Sequence, residues 1–217
     1  MRFRDRRQAG RKLAERLCEP PRGERLGHPV VLALPRGGAP VADEIAQALR
    51  APLDVLVARR IGAPFNPELG VGALAGDDPP LYDERALALL DLTPAQLAPW
   101  AREERTELRR HEQLYCRERP PAEIRDRTVI VVDDGLATGV TARAALRSVR
   151  RREPARVILA VPVCSPEAAA AVRPETDDLV FLDQPDPFQA VGLWYEDFAQ
   201  VRDEEVIDVV RASLAPR

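Results

Sequence analysis

The stretch Val129-Ile130-Val131-Val132-Asp133-Asp134-Gly135-Leu136-Ala137-Thr138-Gly139-Val140-Thr141 decides how this chain is read. Four apolar β-branched residues in a row describe a strand buried on both faces, as in a parallel sheet. Two carboxylates stand where that strand ends. A loop of Gly, Ala and Thr follows, and Ala142-Arg143-Ala144-Ala145-Leu146 opens a helix. A helix start leaves about four backbone N–H groups unpaired and carries roughly half a positive charge. Gly135, Ala137 and Gly139 let a phosphate approach those amides, and Thr138 and Thr141 add hydroxyl donors. Each charge-assisted bond of this kind contributes about 1.5–3 kcal/mol. Asp133 and Asp134 repel a bare phosphate, so they suit ribose hydroxyls, a Mg²⁺ ion or a developing positive charge. A plain strand end with an Asp N-cap needs only one of them and no such loop.

Two other strand ends carry arginines. Val30-Val31-Leu32-Ala33-Leu34 runs into Pro35-Arg36-Gly37-Gly38 and a helix from Pro40 to Leu49. Leu53 to Ala58 forms a third strand, ending in Arg59-Arg60-Ile61-Gly62-Ala63-Pro64. Arginine suits a diphosphate because its planar fork donates two bonds at once. Lys plus Arg total 32, yet Lys12 is the only lysine. A Walker loop needs Gly-Lys-Ser/Thr and is excluded. A phospho-receiver domain, which wants a downstream lysine, and a pyridoxal Schiff base fall with it.

The order of elements predicts the architecture. Helix 3–18, strand 29–35, helix 39–50 and strand 52–60 come first. A Pro/Gly-rich segment from Gly62 to Pro80 follows, with a short strand near 71–74. Residues 83–118 are helical with a break at Thr93-Pro94, where Thr93 caps a new helix. Strand 128–134, helix 139–151, strand 155–162, helix 166–173, strand 178–182 and a helix from Asp203 complete the chain. This alternation predicts an α/β fold: a parallel central sheet with helices on both faces, a helical insertion at 83–118 and a small C-terminal hood. Ligands belong at the carboxyl ends of the strands.

Composition agrees. The 217 residues are 45% hydrophobic, enough for one domain with a substantial core, taken as 1–217. A net charge of −3 gives no drive toward nucleic acid. Cys18, Cys116 and Cys164 show no metal-ligand spacing and read as reduced thiols. No apolar run reaches membrane-spanning length, the charged start does not suit a signal peptide, and a cytoplasmic protein is expected. His28 and His111 have no partner pattern and read as surface residues.

Residues 129–141 resemble the thirteen-residue signature of the type I phosphoribosyltransferases. The whole chain is similar to the stand-alone bacterial phosphoribosyltransferase-like proteins of unassigned acceptor. The resemblance implies that Ala137, Thr138, Gly139, Val140 and Thr141 hold the 5′-phosphate of phosphoribosyl pyrophosphate (PRPP). It implies that Asp133 and Asp134 contact the ribose and, through its hydroxyls or water, Mg²⁺. Arg36, Gly37 and Gly38 look like the pyrophosphate loop, with a cis peptide at Pro35–Arg36. Arg59 and Arg60 look like the start of a mobile loop that closes over pyrophosphate. Residues 184–202 match the hood over the acceptor base, with Phe188 the first candidate to stack on it and Trp194 and Tyr195 next. The implied activity is transfer of the phosphoribosyl group from Mg-PRPP to a base-like acceptor, releasing pyrophosphate, in a homodimer. The alternative is a regulator that senses PRPP or a nucleotide without turnover. Ala137 departs from the 6-oxopurine members, which carry an aspartate there, so the acceptor stays open.

Overall fold

The computed structural model describes residues 2–20, 23, 26–116 and 120–214. The elements run α1 (Arg6–Cys18), β1 (Val30–Ala33), α2 (Gly38–Leu49), β2 (Leu53–Val55), β3 (Ala58–Ala63), β4 (Asn66–Ala75) and β5 (Leu81–Tyr82). Then come α3 (Glu84–Leu90), α4 (Pro94–Cys116), β6 (Thr128–Val132), α5 (Val140–Arg150), β7 (Arg156–Val163), α6 (Pro166–Val172), β8 (Asp178–Asp183) and α7 (Asp203–Leu214). Five strands form a parallel sheet in the order β2-β1-β6-β7-β8. The expected α/β fold is therefore present.

The apolar strands explain the layers. Val31, Ala33, Ile130, Val132, Ile158 and Ala160 face one core with Leu13, Leu17, Ile45, Val206 and Val210 of α1, α2 and α7. Val30, Leu32, Val129, Val131, Val157 and Leu159 face the other, with Leu146, Val149 and Val172 of α5 and α6. The two-residue alternation of a strand thus feeds both faces, and helices cover each.

The region after β2 departs from expectation. The strand expected at 52–60 splits: β2 ends at Val55 in the parallel sheet, and β3 begins a separate antiparallel sheet, β3-β4-β5. The Pro/Gly-rich segment forms most of that sheet, with β4 far longer than the strand expected at 71–74. Arg60 pairs with Ala73 and Ile61 with Gly72, and bulges follow at Gly62 and Ala63. Glycines and Pro67 mask its strand character, because propensity counts them against a strand while backbone pairing accepts them at a bulge.

The helical stretch breaks as expected, between α3 and α4, and α4 packs on β3, β4 and α7. Residues 117–118 of the expected insertion, and residues 1 and 215–217 of the expected domain, lie outside the described residues. His111 is buried rather than exposed. It packs on Tyr115 at 5.6 Å between ring centroids, donates from Nδ1 to Glu107 O (2.8 Å) and accepts from Arg110 at Nε2 (3.0 Å). Its charged sequence neighbours hid an inward-facing helical position.

Helix α1 starts at Arg6, not residue 3, because Phe3 pairs with Tyr195 in a parallel bridge. Phe3 N–H donates to Trp194 O (2.7 Å), and Glu196 N–H donates to Phe3 O (2.8 Å). The segment expected to form a hood, 184–202, thus packs with the start of the chain, around a small core of Phe3, Ala9, Val163 and Tyr195. No helix of the described residues is long and apolar enough to cross a membrane.

Candidate active site

Strand order reverses between β1 and β6, which lie side by side, Ala33 opposite Val132. The segments that follow them, 34–38 and 133–139, therefore emerge together at the carboxyl edge, where such sheets bind ligands. Leu34 N–H donates to Val132 O (2.8 Å), extending the pairing one residue beyond β1. The Pro35–Arg36 peptide is cis.

Helix capping separates these two segments from the rest. Three other helices are closed by side chains: Asp5 accepts from Gln8 N–H, Asp83 from Ala86 N–H and Ser165 from Ala168 N–H. Helices α2 and α5 instead follow Gly37 and Gly139, and neither N-cap makes a side-chain hydrogen bond. Gly139 takes a φ of 78°, in the left-handed region. Helix α5, 11 residues long, thus presents uncapped amides at the edge, the arrangement that receives anions. At the start of α2, by contrast, Gly38 N–H already donates to Leu34 O (3.0 Å) and Ala39 N–H to Arg36 O (3.1 Å). Ala137 and Thr138 are exposed on the second loop, which Ser165 Oγ–H steadies by donating to Ala137 O (2.8 Å).

The two carboxylates stand on the segment between β6 and α5, against Gly37 and Gly38. Asp133 accepts the N–H of Asp134 on Oδ1 (2.9 Å). Burial, and next the charge of Asp134, raise the Asp133 carboxyl well above its usual range. Burial raises Asp134 as well, while the Arg6 guanidinium pulls it back down. Arg6 Nε–H donates to Asp134 Oδ2 at 2.8 Å, with side chains only 11% and 15% exposed. A Cβ on Gly37 would stand 2.1 Å from the same oxygen, so the first loop touches Asp134 directly.

The arginines form a path along the edge. Arg36 and Arg59 line one small cavity with Pro35, His111 and Tyr115. Arg59, Arg60 and Thr141 line a cavity of about 440 Å³ with Pro67, Trp100 and Glu104. Arg59 Nε–H donates to Glu104 Oε2 (2.8 Å), and Arg36 Nη1 lies 3.9 Å from Asp203 Oδ1. Helix α4 therefore supplies a wall of this region.

The hood aromatics pack on one another. Phe188 stacks on Trp194, centroids 6.4 Å apart and planes at 25°. Tyr195 is 2% exposed, and its O–H donates to Asp134 O (2.6 Å). Its ring is a wall of the hood core rather than an open platform, and burial raises its phenol further above the ordinary range. Trp194 Nε1 is buried without a hydrogen-bond partner.

Asp133 and Asp134 stand beside Gly37 and Gly38, Arg36 shares a cavity with Arg59, and Arg59 and Arg60 share one with Thr141. Arg6 and Phe3 join the site without any expectation from the sequence. Both act through residues at the far end of the chain, and only the clustering of Phe188, Trp194, Tyr195 and Phe198 signals that a small core needs a partner. For Mg²⁺, the described residues hold no cluster of three or more His, Cys, Asp or Glu side chains. The two acids, only one of them paired with a guanidinium, offer carboxylate oxygens to a cation arriving with its own oxygen ligands.

A model of the phosphoribosyl transferase domain family matches residues 5–195. Two curated Mycobacterium tuberculosis proteins, from strains CDC 1551 and H37Rv, are provisionally named phosphoribosyl transferases. Each is 40% identical over 205 residues, covering 94% of this chain and 45% of the relative. The chain thus spans about half the length of the curated relatives it matches. The crystal structure of TT1426 from Thermus thermophilus covers 97% of this chain and 98% of its own, with a TM-score of 0.79 and 43% identity. A Neisseria gonorrhoeae protein with bound ppGpp shares the fold, at a TM-score of 0.52 and 16% identity over 98% of each chain.

Proposed function

The chain belongs to the phosphoribosyl transferase domain family, and on that premise we propose that it transfers the phosphoribosyl group of Mg-PRPP to a base-like acceptor, releasing pyrophosphate. One observation carries the reading: two glycine-capped helix starts follow adjacent strands at the sheet's switch point, with a pair of partly buried aspartates on the segment leading to one and against the glycines of the other. Three parts of one donor match that arrangement: a charged 5′-phosphate, a neutral ribose and a charged diphosphate.

The residues divide the work. Ala137, Thr138, Gly139, Val140 and Thr141 hold the 5′-phosphate through backbone amides and the two hydroxyls. Arg36 with the Gly37 amide takes the diphosphate, Gly38 allows the loop to lie close against β6, and Arg59 and Arg60 assist. Asp133 and Asp134 accept the ribose hydroxyls and face the positive charge that grows at C1′ as the bond to diphosphate breaks and the bond to the acceptor nitrogen forms. Positioning and electrostatics supply the rate. Mg²⁺, carried by the diphosphate near Asp133 and Asp134, neutralises the leaving group when bound. The β3–β4 hairpin, residues 62–70 included, covers pyrophosphate and excludes water. Phe188 and Trp194 line the acceptor side. The span 1–217 works as one domain with an insertion at 83–118 and a hood at 184–202, as a cytoplasmic homodimer.

Calorimetric titration of PRPP with and without Mg²⁺ tests the donor, and absence of binding overturns the reading. The Asp133→Asn/Asp134→Asn double variant should weaken PRPP binding at least about tenfold, a loss of about 1.4 kcal/mol. A screen of bases and amines for pyrophosphate release tests turnover. Tight PRPP binding without release from any acceptor would favour the sensing regulator.

A further inference from the structure

The Arg6 guanidinium is occupied on three sides. Nε–H donates to Asp134 Oδ2, and Nη1–H donates to Ala199 O, each at 2.8 Å. Its carbon lies 3.8 Å from the Phe198 ring centroid and 5.9 Å from that of Tyr195. One side chain therefore touches a ribose-site acid, a hood carbonyl and two hood rings.

Its place on the helix argues for a purpose. Arg6 is the first residue of α1, whose first turn holds no acid. A cation there opposes the helix dipole. Asp5 already caps the helix by accepting from Gln8 N–H, so α1 gains nothing from a guanidinium at this point. The compensation lies across the fold, 128 positions away, at Asp134. That carboxylate is wedged between Arg6 on one side and the Gly37 backbone on the other. A continuous line of contact thus runs from the hood through Arg6 and Asp134 to the loop proposed for diphosphate.

We propose that Arg6 is a positioning residue that couples the hood to the donor site: it fixes the Asp134 carboxylate and ties it to Phe198 and Ala199, so that donor binding orders the hood. The proposal rests on the donor site described above. Coupling of this kind is reciprocal, so loosening the hood weakens donor binding by the same factor as losing the donor loosens the hood.

The test uses the full chain, PRPP with Mg²⁺, calorimetry, and amide hydrogen exchange across 193–197. That segment holds the hood bonds of Tyr195, Glu196 and Asp197 N–H. In the unsubstituted protein, PRPP should slow exchange there. Arg6→Gln should lower PRPP affinity about tenfold and abolish that slowing. Arg6→Lys restores the charge on Asp134 but has no fork to hold Ala199 as well. It should recover only the part of the affinity that the charge supplies, and the exchange response should stay lost.

A purely structural Arg6 would show a lower melting temperature with unchanged PRPP affinity and the exchange response intact, and that result overturns the proposal. Phe198→Leu, which removes the ring beneath the guanidinium, carries the same test should Arg6→Gln not fold: weaker PRPP binding with a lost exchange response supports coupling, and an unchanged response overturns it. Failure of the unsubstituted protein to bind PRPP overturns the donor reading instead, so the two failures are told apart.

Discussion

The loop after β6 and the hood meet at Asp134 but are assembled in opposite ways. The loop is thirteen consecutive residues whose chemistry is local: a buried strand, two acids, small residues, a helix start. The hood joins residues 3–6 to residues 188–199, and its order depends on pairing the two ends of the chain. The loop is anchored in the central sheet, with Leu136 N–H donating to Val163 O (2.9 Å). The hood has a small core of its own. A local device set in a large core resists single changes that a long-range device with a small core does not.

The largest expected effect breaks that comparison at the hood. Phe3 is fully buried between the chain ends and lies 5.5 Å from the Tyr195 ring. Phe3→Ala should cost about 3–4 kcal/mol, in the range for deleting a buried ring. Because the cluster is separate, the loss should appear as local opening, with amides at 193–197 exchanging fast while β6 and β7 stay protected. Uniform loss of protection would make hood and sheet one cooperative unit.

Next comes Gly37→Ala, which acts from the loop side. The new methyl would stand 2.1 Å from Asp134 Oδ2, so the carboxylate must move or the α2 start must shift. We expect about 1–3 kcal/mol of destabilisation, together with weaker PRPP binding by calorimetry. Unchanged binding would mean that Asp134 can leave its place without consequence.

These contrasts explain what was legible. Strands β1, β6 and β7, the acid pair and the glycine-capped helix starts follow from periodicity and residue chemistry within short windows. The β3–β4 hairpin was not legible, because Pro67 and the glycines between 62 and 72 read as loop, and only its partner strand makes them a sheet. Tyr195 reads as aromatic surface for a base, and its burial depends on Phe3, which no window containing Tyr195 includes. Arg6 reads as one of many arginines. Nothing in its neighbourhood separates it from Arg4 or Arg7, whose own side chains are exposed.

Smaller effects sharpen the contact between the two regions. A Cβ on Gly135 would stand 2.6 Å from Val191 Cγ1 of the hood. Gly135→Ala should push the hood outward at a cost of about 1 kcal/mol. Exchange should rise at 193–197 and stay unchanged in α5. A rise in α5 instead would show that the loop, not the hood, gives way.

Tyr195→Phe is the gentlest probe and isolates a single bond. It keeps the ring in place and deletes only the O–H that donates to Asp134 O at 2.6 Å. The carbonyl left behind is partly buried, so the loss should be about 1 kcal/mol in urea unfolding. That bond holds the backbone of Asp134, whereas Arg6 holds its carboxylate. If the hood orders the acid mainly through Arg6, Tyr195→Phe should lower stability while PRPP still slows exchange at 193–197. If that slowing disappears with the hydroxyl alone, the backbone bond carries the coupling, and the guanidinium is only a brace.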